Sequence, residues 1–242
     1  MSKNVDLNRA KIVNGEGPNR KLIDNSIRDI NANVSIIFRG HKELLLQKIS
    51  QYNYIVGCIA WLTDFEIIKA FSKVEHISII VQKEDFLRSD LNAGNSWKND
   101  LRKAYNGLSV FFRLDGYGGL LSELSYMLDT GNNAAIRCIG NYNRDKKPAF
   151  PRMHNKFLVF SNYIEGKQIG DNFIEPIINY QEVWTGSYNL TKNAENSLEN
   201  VVLIKNNKIA EAYYNEFCQI FALSEPLDWE TDWSEPEFKI GS

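Results

Sequence analysis

Hydrophobic positions along the chain alternate between two rhythms: short β-favouring runs, and longer stretches whose apolar residues recur at helical spacing. Residues 34–38 predict a short strand, and 41–50 an amphipathic helix with Leu44, Leu45 and Ile49 inward. Residues 54–60 are apolar enough for a buried strand, after which Thr63 or Asp64 caps a helix carrying Ile67, Ile68 and Phe71. Next come a strand over 76–81, a helix over 97–105, a strand over 108–114, a helix over 120–128 and a strand over 135–139. Further strands are expected over 157–160, 182–185 and 199–205. A helix follows over 208–221, with Ala210, Tyr213, Tyr214, Phe217 and Ile220 as its apolar stripe. This alternation implies an α/β fold: a mixed, mostly parallel β-sheet flanked by helices on both faces.

The periodic pattern spans residues 34–224, which are expected to form one domain. Residues 1–33 are rich in Asn, Arg, Lys and Gly and are broken at Gly15-Glu16-Gly17-Pro18, with some helical spacing over 22–30. They read as an N-terminal arm that packs on the domain or on a partner protomer. Residues 225–242 read as an acidic C-terminal tail, with Trp229 and Trp233 among carboxylates, that packs back on the fold. Neither Gly15-x-Gly17 nor Gly116-Tyr117-Gly118-Gly119 sits in the strand–loop–helix context that a nucleotide fingerprint needs.

The chemistry concentrates in Met153-His154-Asn155-Lys156-Phe157-Leu158-Val159-Phe160 and, downstream, in Trp184-Thr185-Gly186-Ser187-Tyr188-Asn189. The first stretch reads as a strand, so His154 and Lys156 lie on one face and Asn155 on the other. The second is a strand that breaks at Gly186 and then presents a hydroxyl and an amide, Ser187 and Asn189. Imidazole, ammonium, hydroxyl and carboxamide together make a cradle for a phosphate.

His154-x-Lys156, Gly186-Ser187-x-Asn189 and Glu199-Asn200 before Val201-Val202-Leu203-Ile204 resemble the phospholipase D superfamily. The nearest likeness is to its small nuclease-type members, which carry one motif per chain. The likeness is specific over 152–204 and looser over 34–140. It implies a phospholipase D-like fold and catalysis by His154, Lys156, Ser187, Asn189 and Glu199. His154 would attack a phosphodiester and form a phosphohistidine. Lys156, Ser187 and Asn189 would hold the non-bridging oxygens, and Glu199 would accept a hydrogen bond from an imidazole and fix its tautomer. A second histidine is required as general acid. Neither His41, expected at a helix N-terminus, nor His76, read as a surface or strand-start residue, sits in a second motif, which points to a homodimer sharing one site.

Two departures from the family pattern stand out. The aspartate expected five residues after the lysine is Ser161, and a long insertion over 162–181, read as a hairpin at the rim of the site, replaces a tight turn.

Composition sets limits on this picture. With 242 residues, 43% hydrophobic and 24% charged, the chain is long and apolar enough for a sizeable core. No apolar run approaches the ~20 residues of a membrane span, and no signal-peptide pattern opens the sequence. Cys58, Cys138 and Cys218 are widely spaced in apolar contexts and read as reduced core residues, so the cytoplasm is the expected location. A net charge of −2 argues against a nucleic-acid coat protein but not against a nuclease, because local fields decide. Arg144, Lys146, Lys147 and Arg152 concentrate positive charge just before His154 and are candidate contacts to a nucleic-acid backbone.

Three functions follow from these residues. The first is a metal-independent and cofactor-independent phosphodiesterase acting on nucleic acid, DNA before RNA, with a role in defence against foreign DNA or its processing. The second is a phospholipid phosphodiesterase of cardiolipin type, for which Phe173, Ile174, Ile177 and Ile178 would supply an apolar rim. The third is a binding module that kept the fold and lost turnover. A magnesium-dependent nuclease is disfavoured, since no tight run of Asp and Glu offers oxygen ligands.

Overall fold

The computed structural model describes residues 11–12, 20–21, 26–29, 33–84, 87, 96–110, 126–127, 134–140, 152–169, 173–227 and 239–240. Strands β1 (Lys11–Ile12) and β2 (Arg20–Lys21) pair with each other. The main body then runs β3 (Ile27–Asp29), β4 (Val34–Ile37), α1 (His41–Ile49), β5 (Tyr54–Ile59), α2 (Phe65–Phe71), β6 (His76–Gln82) and α3 (Ser96–Asn106). It continues through β7 (Tyr126–Met127), β8 (Ile136–Ile139), β9 (Lys156–Ile169), β10 (Phe173–Gly186), α4 (Lys192–Glu195), β11 (Val201–Lys205), α5 (Asn207–Ala222), β12 (Glu225–Pro226) and β13 (Lys239–Ile240).

Nine of these strands form one sheet in the order β12-β8-β6-β5-β9-β10-β11-β4-β3. Successive side chains of a strand face opposite layers, and here both layers are covered. Ile55, Ile59, Ile77, Ile79, Leu158 and Phe160 pack toward α1, α2 and α3. Tyr54, Val56, Cys58, Ile80, Phe157 and Val159 pack toward α5, through its Ala210, Tyr214, Phe217 and Ile220. The expected α/β fold, a mixed sheet with helices on both faces, is therefore present, and all three cysteines are buried free thiols.

The sheet is less parallel than the alternation suggested. Only β5–β6 and β6–β8 run parallel, and the other six pairings are antiparallel. Helical crossovers enforce parallel strands, but β9 and β10 form a hairpin and β11 returns after a single helical turn, so no crossover intervenes. Ile27–Asp29, within a stretch with some helical spacing, is instead a strand beside β4, pairing Ile27 with Ile36. Tyr126–Met127, in the span expected as a helix over 120–128, pairs with Lys239–Ile240. The rest of that span lies outside the described residues, as do 111–114 of the strand expected over 108–114, whose 108–110 are not a strand. Edge strands β3 and β12 come from beyond the limits 34 and 224. Lys83 holds β12 in place, donating to Glu225 at 2.6 Å with both side chains buried.

The insertion over 162–181 is a hairpin, but it does not stand at the rim of the site. Ile164 pairs with Ile177 and Ile169 with Phe173, whereas Lys156 and Gly186 lie at the other end of the same two strands. Lys156 and Ile169 are the two ends of the 14-residue strand β9, on the order of 40 Å apart at ~3.3 Å per residue.

Candidate active site

Lys156 opens β9 and pairs with Ile59 at the C-terminal end of β5. His154 lies two residues before the strand, between anchored neighbours. The Met153 N–H donates to Gln82 Oε1 at 2.7 Å, and the Asn155 carbonyl accepts the Ala60 N–H at 3.0 Å. The imidazole of His154 is exposed and meets the ring of Trp61 edge-on, with centroids 6.0 Å apart. Lys156 is largely buried and donates from Nζ to the His154 carbonyl at 3.0 Å.

The second half of the site is built where β10 ends. Gly186 has φ +151°, and a Cβ there would lie 2.2 Å from the carbonyl oxygen of Asn200, so only glycine fits. That close approach lets the Ser187 N–H donate to Asn200 O at 3.0 Å and the Asn200 N–H donate to Ser187 Oγ at 3.0 Å. The Ser187 hydroxyl donates in turn to Glu199. Leu190, next to Asn189, donates to the Trp61 carbonyl at 3.1 Å and accepts from the Thr63 and Asp64 N–H groups at 2.8 and 3.0 Å. The loop after β5 and the loop after β10 are thus zipped together. The side-chain oxygen of Asn189 is buried with no hydrogen-bond partner among the described residues.

The charges at the site are mutually tuned. Partial burial, then the nearby charges of Lys156 and Arg152, hold the His154 pKa below the ordinary histidine range, which favours the neutral, nucleophilic imidazole. Burial also lowers the pKa of Lys156, an effect opposed by the carboxylate of Glu199. Glu199 makes no hydrogen bond with the imidazole of its own chain and takes the Ser187 hydroxyl instead. Arg152 is exposed, 3.9 Å from Glu84, while Arg144, Lys146 and Lys147 lie outside the described residues.

The other two histidines take no part. His41 begins α1 as expected, but it is buried, 3.1 Å from the Ile37 carbonyl and stacked on Tyr188. His76 begins β6 but is buried rather than on the surface, stacked on Tyr54 with centroids 4.5 Å apart. Ser161 is buried on β9, five residues and roughly 17 Å along the strand from Lys156, and its hydroxyl has no partner among the described residues.

A cavity of about 750 Å³ opens beside the motif, with Trp61, Phe65, Trp97, Asn189 and Glu199 in its lining. In its lining Lys42 Nζ contacts Asp64 at 2.9 Å, Glu66 at 2.8 Å and Glu195 at 2.6 Å. Lys42 is held strongly protonated by these carboxylates against the opposing effect of its burial. Asp64 also caps α2, accepting the N–H groups of Glu66 and Ile67 at 2.9 and 3.2 Å. An ammonium therefore occupies the centre of this acidic cluster, and no group of His, Cys, Asp or Glu among the described residues is arranged to hold a metal. The motif left these residues out because they come from separate elements. The available signal was Trp61-Leu62-Thr63-Asp64-Phe65, following the carboxyl end of a parallel strand, where α/β sheets place their ligands.

The architecture is that of an α/β protein with a mixed sheet covered on both faces, and the sequence comparisons give its family. The model of the family described as cardiolipin synthase, PLD-like domain, matches residues 45–221, and the chain belongs to this phospholipase D-like family of phosphodiesterase-type hydrolases. A relative, the uncharacterized protein L381 of Acanthamoeba polyphaga mimivirus, is 30% identical over 95% of this chain and 76% of its own length. Among solved structures, Nuc of Salmonella typhimurium superposes with a TM-score of 0.44 at 17% identity, covering 82% of this chain and 98% of Nuc. NucT of Helicobacter pylori gives 0.46 at 15% identity, covering 80% of this chain and 98% of NucT. No helix among the described residues is long and apolar enough to cross a membrane.

Proposed function

We propose that this chain is a metal-independent nuclease, acting on DNA, that works through a phosphohistidine in a site shared by two copies. The observation that carries the reading is an imidazole held neutral beside a buried ammonium, with the Ser187–Glu199 pair across the β9–β10 ladder. His154 attacks phosphorus and forms the P–N bond as the P–O bond to the leaving group breaks. A second imidazole, His154 of the partner subunit, enters the reaction protonated and gives that proton to the departing oxygen, so that one ring of the pair is neutral and the other charged. Water then attacks the phosphohistidine, yielding its proton to that same imidazole and restoring both rings. The dimer is supported by the burial of His41 and His76, which leaves one chain with a single imidazole for two roles. In such a dimer Glu199 would face the partner's His154. Arg144, Lys146, Lys147 and Arg152 are proposed as backbone-phosphate contacts, and the protein is proposed to be cytoplasmic, working in defence against foreign DNA or in its processing.

A second reading, a phospholipid phosphodiesterase, follows the description of the matched family. It loses its proposed apolar rim, because the exposed Ile164 and Ile177 sit on the hairpin extension away from His154. The silent-module reading is opposed by the retained set His154, Lys156, Ser187, Asn189 and Glu199.

The deciding experiment is cleavage of labelled single- and double-stranded DNA in excess EDTA, beside His154→Ala and beside vesicles of anionic phospholipid. Cleavage of DNA that is abolished in the variant is expected. Turnover of lipid alone would replace the nuclease reading by the second.

A further inference from the structure

We infer that the cavity beside His154 is a nucleobase pocket, so that the enzyme takes single-stranded nucleic acid with one unpaired base seated next to the reacting phosphate. The inference rests on the nuclease reading and adds to it the form of the substrate.

Three observations converge. The first is shape and wall chemistry. At about 750 Å³ the cavity falls within the roughly 300–1,000 Å³ of small-ligand sites, and its aromatic lining comes from three separate places in the chain. Trp61 follows β5, Phe65 opens α2 and Trp97 lies in the first turn of α3. Phe65 and Trp97 remain 39% and 41% exposed, an unusual cost for large apolar rings beside a catalytic motif unless something covers them. Base–aromatic stacking is sequence-tolerant and suits such open rings.

The second observation is position. Trp61 lines the cavity and also meets His154 edge-on at 6.0 Å. Its indole N–H donates to Glu84 at 3.3 Å, which fixes the ring. Asn189 and Glu199 line the same cavity from the motif side. A phosphate over His154 and Lys156 thus leaves its attached nucleoside at the mouth of the aromatic chamber.

The third observation is charge. The cavity lining sets four carboxylates, Asp64, Glu66, Glu195 and Glu199, against two ammonium groups, Lys42 and Lys192, so its wall is net negative and disfavours a second phosphate. A neutral base with an exocyclic amine is accepted, because the carboxylates of the lining are acceptors. A cationic lipid head group fits less well, since Lys42 already lies within 2.9 Å of each of the three carboxylates. In a duplex the base would first have to unstack and unpair, whereas a single strand offers it free.

The test uses the full chain and a single-stranded oligonucleotide, the same strand annealed to its complement, and the same strand made of abasic residues. The single strand is expected to exceed both others in kcat/KM by about 5- to 140-fold, the range of one base–aromatic stack. Trp97→Ala is expected to shrink the ratio between the base-bearing and abasic strands toward one. Equal kcat/KM on base-bearing and abasic strands, or an unchanged ratio in Trp97→Ala, would overturn the pocket. If no strand is cut, the nuclease reading fails, and tryptophan fluorescence still decides on the pocket. Quenching by the base-bearing strand and not by the abasic one supports it. Equal quenching by both, or quenching by phosphocholine or phosphoethanolamine instead, rejects it.

Discussion

The hydroxyl of Ser187 donates to the carboxylate of Glu199 and accepts the Asn200 N–H at 3.0 Å, so one side chain ties together the two ends of the β10–β11 connection. The two residues act as a unit. Ser187→Ala and Glu199→Gln are each expected to lower kcat by about 10²–10³-fold, the scale of one preorganised polar contact to a reacting phosphoryl group. Because each change undoes the same pair, the double variant should fall little further than the worse single one. Steady-state kinetics on the three variants checks this, and multiplicative losses would show that the residues work separately.

His154 should titrate below the ordinary histidine value of about 6.5, because burial, Lys156 and Arg152 all disfavour its imidazolium. A lowered pKa favours the neutral ring that the proposed attack needs, while the proposed acid, His154 of the partner subunit, needs its proton, so activity should fall on both sides of a bell-shaped pH profile whose optimum lies on the acid side. Lys156→Gln removes one of the two positive neighbours, so the His154 pKa should rise. Ring-proton NMR titration of native and variant protein reads both effects, and no upward movement in Lys156→Gln would sink the electrostatic account.

How much of this was legible in the sequence depends on how local each feature is. His154, Lys156, Ser187 and Asn189 were readable because two strands and one glycine turn fix them over short spans. Asp64 was readable as a cap of α2 because capping is a contact between near neighbours. The same carboxylate's pairing with Lys42, and through it with Glu195, was not, since it joins α1, α2 and α4, which are far apart in the sequence. Trp97 read as an ordinary helix residue, since its partners across the cavity belong to other elements. The hairpin over 162–181 was recognised as a hairpin, but its direction was hidden. Only the register, with Lys156 and Gly186 at one end and Ile169 with Phe173 at the other, shows which way it grows.

Gly186→Ala is expected to damage fold and site together. The added methyl would sit 2.2 Å from Asn200 O on a backbone at φ +151°, and overpacking of this kind costs about 1–3 kcal/mol. Relief by backbone shift would part Ser187 from Asn200. Denaturant unfolding should show the loss of stability, and any refolded fraction should have low turnover. A fully stable, fully active variant would contradict the close approach.

His76 should make the fold sensitive to acid. Burial against Tyr54 pushes its pKa down to about 3, against about 6.5 when unfolded. Below pH 6.5 the unfolded chain takes up a proton that the folded chain refuses, so stability falls with pH by about 1.4 kcal/mol per unit until roughly pH 3. Above pH 6.5 the group contributes no slope. His76→Phe keeps a ring on Tyr54 and removes the proton site, so urea midpoints of the variant should vary less over pH 6.5–4 than those of the native protein.

The hairpin extension should be dispensable for chemistry. Its far end lies on the order of 40 Å from Lys156 by strand length, and the register keeps β9 and β10 paired from Phe157–Thr185 through Ile164–Ile177 without it. Removing 165–176 and closing Ile164 to Ile177 with Asn-Gly, the turn preferred in two-residue hairpins, leaves the core contacts of Tyr163 and Ile178 in place. Turnover of a small phosphodiester such as bis(p-nitrophenyl) phosphate should then stay within about twofold of native, since nothing within reach of His154 changes. Light scattering on the same variant separates the two ways this could fail. Lost turnover with a lost dimer would make the extension an assembly arm, and lost turnover in an intact dimer would mean that the extension folds back toward the site.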